Sequence, residues 1–178
     1  MKSHSARNIA IAVAIVVAAF VALLATRPTI GDRIVRSPLL GRPAPEFAGK
    51  SLLGGEQVSL TSLRAQNKFV LLNFFGTYCI PCRKEHPELI AIAKAHPTDL
   101  ALVSVTFDDN NDDARDYFKN NGGDWPLLDI PGVAVDYGVA KIPETFLIGP
   151  NGLVLSKASG ALTKKRFEVV FAEAKATR

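Results

Sequence analysis

An apolar run followed directly by two closely spaced cysteines constrains this chain more than any other stretch. The run is Phe69–Phe75 (FVLLNFF), and its length and composition predict a buried β-strand. The next residues, Gly76–Cys82 (GTYCIPC), contain both cysteines of the chain, and a helical pattern follows them. The sequence therefore predicts that Cys79 and Cys82 lie on a strand-to-helix turn.

The predicted helix start favours a negative charge at Cys79. Unpaired backbone N–H groups and the helix dipole stabilise an anion at this position. A thiolate is such an anion, and a lowered thiol pKa makes it a nucleophile near neutral pH. We expect Cys79 to be the exposed attacking thiolate and Cys82, one turn inward, to be the resolving thiol. Ile80 and Pro81 separate them without adding charge, and Pro81 suits an early helical position because its missing N–H is not needed there.

Two other uses of the cysteines compete with redox chemistry. They could form half of a zinc site, with His86 or His96 as further ligands, but zinc requires four ligands. They could also be inert core residues. A structural staple is excluded because a ring closed over two intervening residues constrains little of the unfolded chain. The strand–turn–helix context favours a redox pair.

Length and charge restrict the remaining possibilities. The 178 residues, without the apolar N-terminus, leave room for one ordinary domain, which we expect to be a monomer. The formal net charge is +4, and no dense block of Lys and Arg is present. Nucleic-acid binding is therefore not expected.

The N-terminal region predicts a membrane anchor. An uncharged apolar run over residues 8–26 is long enough to cross the hydrocarbon core of a bilayer, after a cytoplasmic tail over residues 1–7. A cleaved signal peptide is the alternative, although Leu23 is a large residue where cleavage after Ala25 would require a small one. Residues 27–40 are rich in Pro and Gly and predict a linker, and residues 41–178 form the globular domain.

The pattern of elements predicts an α/β fold. An N-terminal hairpin precedes a β-α-β-α order and a terminal β-β-α unit, which gives a mixed sheet with helices on both faces, as in thioredoxin. The predicted hairpin strands are Phe47–Leu53 and Gln57–Leu60, and the sheet strands are Lys68–Phe75, Asp99–Phe107, Thr145–Ile148 and Leu153–Ala158. The main predicted helices are Arg83–Ala95, Ala114–Asn120, Val133–Val139 and Lys164–Lys175.

Several polar residues are candidates for a role beside the cysteines. Glu85 follows Cys82 by three residues on the helix, so it is either a solvated surface charge or a proton acceptor for the buried thiol. Thioredoxin has a buried Asp six residues before its first cysteine, and this chain has Asn73 there. Proton transfer would therefore need Glu85 or Glu144. We expect His86 on the surface, Trp125 in the core and residues 108–113 in a turn.

Pro143 alone would indicate an ordinary turn. Beside a Cys-x-x-Cys helix, a cis proline is the better interpretation, because it leaves the preceding backbone at Ile142 free to pair with a bound substrate strand. Glu144 would then lie close enough to raise a thiol pKa or to carry its proton.

Two stretches resemble a known family. Asn73–His86 (NFFGTYCIPCRKEH) and Tyr137–Ile148 (YGVAKIPETFLI) are similar to the membrane-tethered TlpA/ResA/CcmG (DsbE) group of extracytoplasmic thiol–disulfide oxidoreductases. The resemblance covers roughly residue 41 to the C-terminus. It implies a thioredoxin fold with a central insert at about residues 109–135, a cis proline at Pro143, and modulation of the cysteines by Glu85 and Glu144. The chain departs from the group at Tyr78, where the family usually has Trp.

The resemblance also implies a function. Members of the group reduce the CxxCH site of apocytochrome c before haem attachment, and a membrane electron donor of the DsbD/CcdA type keeps them reduced. The redox-active Cys79–Cys82 disulfide is then the expected redox centre, without a metal or organic cofactor. The implied location is the cytoplasmic (inner) membrane, with the catalytic domain on the periplasmic side. A general periplasmic disulfide reductase or oxidant, or a metal- or haem-handling chaperone that uses Cys79, Cys82 and His86, remains an alternative.

Overall fold

The computed structural model describes residues 3–25, 37–66 and 68–176. The chain divides into two compact units, Met1–Arg33 and Ile34–Arg178.

The first unit contains helix α1, Ser3–Ala25. The large apolar side chains from Ile9 to Leu23 are 52% to 67% exposed. Within the part of the chain that the structure describes, no helix has both the length and the apolar character of a membrane span. The predicted tail over residues 1–7 is partly helical, since α1 begins at Ser3, and the anchor over residues 8–26 remains a prediction that ends outside the described residues.

The second unit begins before the boundary that we predicted at Gly41. Ser37 is buried, and Leu40 forms a bridge with Val154. The Gly41 N–H donates to the Val154 carbonyl at 2.8 Å, and the Val154 N–H donates to the Arg42 carbonyl at 2.9 Å. The predicted linker over residues 27–40 was therefore too long at its C-terminal end, because residues 37–40 already pack on the domain. Residues 27–36 lie outside the described ranges.

A short hairpin opens the domain, as predicted. Strands β1 (Ala48–Lys50) and β2 (Gln57–Ser59) pair antiparallel, over shorter segments than we expected. Helix α2 (Leu60–Arg64) follows, and the Ser59 side chain caps it by accepting from the Ser62 N–H.

The central sheet has five strands, in the order β5-β4-β3-β6-β7. They are β3 (Phe69–Phe75), β4 (Leu100–Thr106), β5 (Leu127–Leu128), β6 (Glu144–Ile148) and β7 (Val154–Ser159). Strand β4 runs parallel to β3 and β5, whereas β6 runs antiparallel to β3 and β7. The prediction of a mixed sheet is confirmed. All residues of β3 are buried, which explains its continuous apolar sequence.

Helices cover both faces of this sheet, and each face has its own core. Helices α3 (Ile80–Ala95), α4 (Asn111–Asn121) and α6 (Lys164–Ala176) contribute to the core that contains Leu71, Leu147 and both cysteines. Helices α2 and α5 (Pro131–Asp136) contribute to the opposite core, which contains Phe74 and Phe146. The predicted insert over residues 109–135 holds α4, β5 and most of α5, and β5 extends the sheet at its edge. The thioredoxin-like fold is thereby confirmed.

Candidate active site

The turn between β3 and α3 is held by hydrogen bonds from both sides. The Cys79 N–H donates to the Gly76 carbonyl at 3.1 Å. The Thr77 N–H and hydroxyl donate to the Asp109 carboxylate at 2.6 and 2.8 Å, which attaches the turn to the loop after β4. Helix α3 begins at Ile80, with Cys79 as its N-cap and Pro81 in its first turn, as expected for both residues, and it includes the helical pattern predicted over Arg83–Ala95.

Cys79 and Cys82 form a disulfide across this helix start. The Cys79 Sγ accepts a hydrogen bond from the Cys82 N–H at 3.2 Å. This N–H has no partner within the helix, so it can stabilise the thiolate that Cys79 carries after reduction. Cys79 is 7% exposed and Cys82 is 3% exposed. Cys82 is the more buried cysteine, as expected, but the expectation of an exposed Cys79 is wrong for the oxidised form. In the disulfide, the Cys79 Sγ is bonded to Cys82 and lies against the first turn of α3.

The two residues that flank Cys79 in the sequence are much more exposed than the cysteine itself. Tyr78 is 59% exposed and Ile80 is 68% exposed. The Tyr78 hydroxyl donates to the Phe107 carbonyl at 3.0 Å. Partial burial, with the nearby carboxylates of Asp108 and Asp109, raises the pKa of this hydroxyl, which therefore remains a donor. Tyr78 is thus fixed to the segment after β4 by its hydroxyl, a group that a Trp at this position would lack.

The loop before β6 lies against the cysteine turn. The Ile142–Pro143 peptide bond is cis, as predicted. A Cβ added to Gly76 would lie 3.1 Å from the Ile142 Cδ1 and 2.8 Å from the Tyr78 Cε1. Ile142 and Tyr78 therefore converge on Gly76, where a Cβ would require the Tyr78 ring or the end of the Ile142 side chain to shift.

Glu85 is buried beneath this site rather than solvated, with an exposed fraction of 1%. Its carboxylate accepts hydrogen bonds from the Leu162 N–H at 2.8 Å, the Asn73 amide at 3.1 Å and the Thr145 hydroxyl at 3.4 Å. Burial raises the pKa of Glu85 from 4.5 to about 7, and these three donors limit the rise. A carboxyl group with such a pKa exchanges protons near neutral pH.

The sequence comparison agrees with this geometry. The AhpC/TSA family model matches residues 40–157, which is the greater part of the chain and includes the cysteine turn, the insert and the segment from Ile142 to Glu144. The chain belongs to the AhpC/TSA family.

Relatives of this AhpC/TSA family member include thioredoxin-like and thiol:disulfide interchange proteins. The thioredoxin-like protein YneN of Bacillus subtilis is 35% identical over 132 residues, covering 72% of this chain and 76% of the relative. The thiol:disulfide interchange protein DsbE of Escherichia coli is 31% identical over 137 residues, covering 75% and 72%. A solved thiol:disulfide interchange protein of Chlorobium tepidum superposes with a TM-score of 0.68 at 26% identity, covering 79% of this chain and 97% of that structure. With its Cys79–Cys82 disulfide, the chain is a thioredoxin-like thiol–disulfide oxidoreductase of the DsbE type.

A buried chain of hydrogen bonds extends from Glu85 across the sheet of this AhpC/TSA family member. The Trp125 Nε1–H donates to the Ser104 hydroxyl at 2.9 Å, and that hydroxyl donates to the Asn73 Oδ1 at 3.4 Å. The Asn73 amide then donates to both Glu85 and Thr145. Every donor in this chain points toward Glu85, so the chain favours the carboxylate over the neutral acid. Trp125 is in the core, as predicted, and links the insert to the site.

Glu144 lies on the other face of the sheet from Glu85. Along β6, Thr145 and Leu147 face the core of the cysteines, and Phe146 faces the opposite core, so strand alternation places Glu144 with Phe146. Its carboxylate accepts from the Ser159 hydroxyl at 2.8 Å and lies 2.8 Å from the Lys157 Nζ. The predicted modulation of the cysteines by Glu144 stays a prediction, because its carboxylate is engaged by β7.

His86 is buried, and its predicted surface position is wrong. The Nε2–H donates to the Gly122 carbonyl at 2.8 Å, and the ring packs 5.0 to 5.5 Å from those of Tyr117, Phe118 and Trp125. The insert folds back over α3, which sequence spacing alone does not reveal. Burial lowers the pKa of His86. Among the described residues, no group of three or more His, Cys, Asp or Glu is arranged to bind a metal ion.

Sequence reasoning missed three polar residues of the site region. Ser104, Thr145 and Lys157 lie in predicted strands, and none of them was assigned a role at the site from the sequence. The signal for Lys157 was present: a hairpin between Thr145–Ile148 and Leu153–Ala158 places it diagonally across from Glu144.

Proposed function

We propose that the protein is a reductant of protein disulfides that acts outside the cytoplasmic membrane. The observation that carries this proposal is the Cys79–Cys82 disulfide at the start of α3, one turn before the buried Glu85. The reduced form supplies electrons, and the disulfide form is its product.

The reaction begins with the reduced protein. The Cys79 thiolate attacks one sulfur of the substrate disulfide, the substrate S–S bond breaks, and a mixed disulfide forms. The Cys82 thiolate then attacks the Cys79 Sγ, which closes the Cys79–Cys82 bond and releases the second substrate thiolate. Two electrons pass to the substrate, and the two protons lost by the cysteines balance the two that the substrate thiolates bind.

Glu85 is the proposed acceptor of the Cys82 proton. It follows Cys82 by three residues on α3, so both side chains lie on one side of the helix. A pKa of about 7 lets the carboxylate take a proton and release it again near neutral pH. This role fills the place of the buried Asp of thioredoxin, where the chain has Asn73.

The proposed substrate is the oxidised CxxCH segment of apocytochrome c. The support comes from DsbE-type relatives and from the resemblance of residues 143–146 (PETF) to the cytochrome c maturation branch of that group. Re-reduction is assigned to a membrane donor of the DsbD/CcdA type.

Trapping the mixed disulfide tests the mechanism. The Cys82→Ala variant of the reduced full-length chain, mixed with an oxidised CxxCH peptide, should form a covalent adduct at Cys79. The matched Cys79→Ala variant should form none, since its remaining thiol is the more buried one. Equal adduct yields from both variants would contradict the assigned roles.

The direction of electron flow is tested by the reduction potential. A reductant should have a value near thioredoxin's, about −270 mV, whereas a strong oxidant lies near about −120 mV. Equilibration with glutathione or dithiothreitol buffers measures this value, and a result at the oxidising end would favour a general oxidant.

Residues 8–26 are proposed to anchor the protein, with the domain on the periplasmic side. The run is uncharged, and the large apolar side chains of α1 from Ile9 to Leu23 are exposed. Fractionation of cells that express the full-length chain tests the anchor, and protease treatment of spheroplasts tests the side. Recovery of a shortened chain in the soluble periplasm would favour a cleaved signal peptide instead.

A further inference from the structure

A buried ion pair lies beside the cysteine site, on the opposite face of the sheet. The Lys157 Nζ is 2.8 Å from the Glu144 Oε2, and the two side chains are 6% and 3% exposed. No hydrogen bond from the described residues reaches this Oε2, so the contact is an electrostatic one outside hydrogen-bond geometry. The ammonium also lies 3.4 Å from the Gly138 carbonyl and 5.0 Å from the centre of the Phe146 ring.

Lys157 is one of three β7-side contacts that hold the start of β6. Ser159 lies directly opposite Glu144 in the antiparallel pair, and its hydroxyl donates to the Glu144 Oε1 at 2.8 Å. The Gly160 N–H donates to the Pro143 carbonyl at 2.9 Å. Together they fix both the backbone of Pro143 and the side chain of Glu144.

Stability does not explain why a lysine occupies this place. Removing two charges from water costs nearly as much as their attraction returns, and an apolar pair of similar volume is often as stable. Phe146, Tyr137 and their neighbours would accommodate such a pair, since they form the surrounding core. A buried ion pair does hold its two side chains in one arrangement, because separating them would leave an uncompensated charge in the core.

That geometry reaches the cysteine turn through Ile142. Ile142 directly precedes Pro143, and its side chain lies next to Gly76 and the Tyr78 ring. Gly76 is three residues before Cys79 in the sequence. A shift of the Pro143 segment would move Ile142 relative to the surface where a substrate meets the disulfide.

We propose that Lys157 is a positioning residue that fixes the Ile142–Pro143 segment for docking of a protein substrate. The inference rests on the proposed function, because docking matters only if the protein reduces protein disulfides. Lys157 does not touch the sulfurs, so it acts on the binding of an extended peptide and leaves thiol chemistry unchanged.

Steady-state kinetics of the full-length chain with two disulfides test the proposal, with dithiothreitol at a fixed concentration as the reductant that regenerates the dithiol and with the rate in the absence of protein subtracted. One is an oxidised CxxCH peptide, which needs the docking surface, and the other is bis(2-hydroxyethyl) disulfide, which is too small to need it. The variants are Lys157→Met, Lys157→Arg and the double variant Glu144→Gln/Lys157→Met, which leaves no unpaired buried charge. Lys141→Met is the matched control, since it removes an exposed lysine charge next to Ile142.

For Lys157→Met, the KM for the peptide should rise by about tenfold to a hundredfold, the range expected for a displaced positioning group. The kcat and the rate with the small disulfide should stay near wild type, and Lys157→Arg should lower the KM again. If Lys157→Met does not fold, the double variant supplies the same measurement, and it should keep the raised KM.

An unchanged peptide KM in the folded variants would overturn the role of Lys157. So would an equal rise in Lys141→Met, which would indicate loss of charge rather than of position. A proportional loss of both activities would mean that Lys157 is merely structural. Failure of the proposed function would look different, since the wild-type chain would then not reduce the peptide.

Discussion

The burial of Glu85 predicts a specific dependence of stability on pH. Each pKa unit corresponds to about 1.4 kcal/mol. The pKa of Glu85 is 4.5 in an open chain and about 7 in the folded protein. The folded state therefore holds the proton more tightly, and the stabilisation from this proton is present below pH 4.5 and is lost as pH rises toward 7. The loss amounts to about 3 kcal/mol of unfolding free energy.

Urea denaturation of the oxidised protein between pH 4 and pH 8 measures this effect. Glu85→Gln replaces the carboxyl group with an amide that cannot ionise. The free energy of unfolding of Glu85→Gln minus that of wild type should increase by about 3 kcal/mol from pH 4.5 to pH 7. The difference is the right quantity because His86, whose pKa is lowered by burial, changes stability in the opposite direction in the same range. Subtraction removes that contribution.

The absolute stability of Glu85→Gln is less informative than its pH profile. The new amide places an NH₂ group next to the Asn73 NH₂ that now donates to Glu85, which costs about 1 to 3 kcal/mol at every pH. Glu56→Gln is a matched control, since it removes an exposed carboxylate in the hairpin turn and should retain the Glu85 contribution. Parallel wild-type and Glu85→Gln profiles from pH 4.5 to pH 7 would refute the claim that burial raises this pKa.

Three further substitutions test the surrounding structure. Thr145→Val removes a donor to Glu85 and should raise the pKa of Glu85 above about 7. In urea denaturation, the loss of stability that accompanies ionisation of Glu85 should then occur at a higher pH than in the wild type. His86→Leu leaves the Gly122 carbonyl unpaired and should cost about 1 to 3 kcal/mol at pH 7. It should also remove the His86 contribution to stability, which is present above pH 6.5 and is lost as pH falls further because burial penalises the protonated ring. Phe171→Ala removes a ring that packs 5.0 Å from Phe69, and urea denaturation should show a loss of about 3 to 5 kcal/mol without a change in the reduction potential.

The parts of the site that depend on neighbouring residues were predictable from the sequence. The apolar run of β3, the cysteine turn and the start of α3 follow one another directly, so local patterns were enough to place them. The predicted strand Lys68–Phe75 differs from the observed Phe69–Phe75 by one residue. Helix α3 has Cys79 as its N-cap, at the helix start that the sequence predicted for this cysteine.

The parts that depend on distant packing were not predictable in the same way. His86 was expected on the surface because the position of the Gly122 carbonyl, 36 residues later, is a property of the folded insert. The pairing of Glu144 with Lys157 requires the register of β6 with β7, and the desolvation of Glu85 requires the backbone at Leu162. In each case the residue type was visible in the sequence, but its environment was not.

The hydrogen-bond chain that ends at Glu85 begins at the only tryptophan of the protein. Trp125 also shares a buried core with both cysteines. Its indole is therefore an intrinsic fluorophore linked to Glu85 through Ser104 and Asn73, and no second tryptophan contributes a background signal. Reduction of the disulfide or ionisation of Glu85 alters the field around a single emitter. We therefore expect Trp125 fluorescence to report reduction of the disulfide and ionisation of Glu85 without a label.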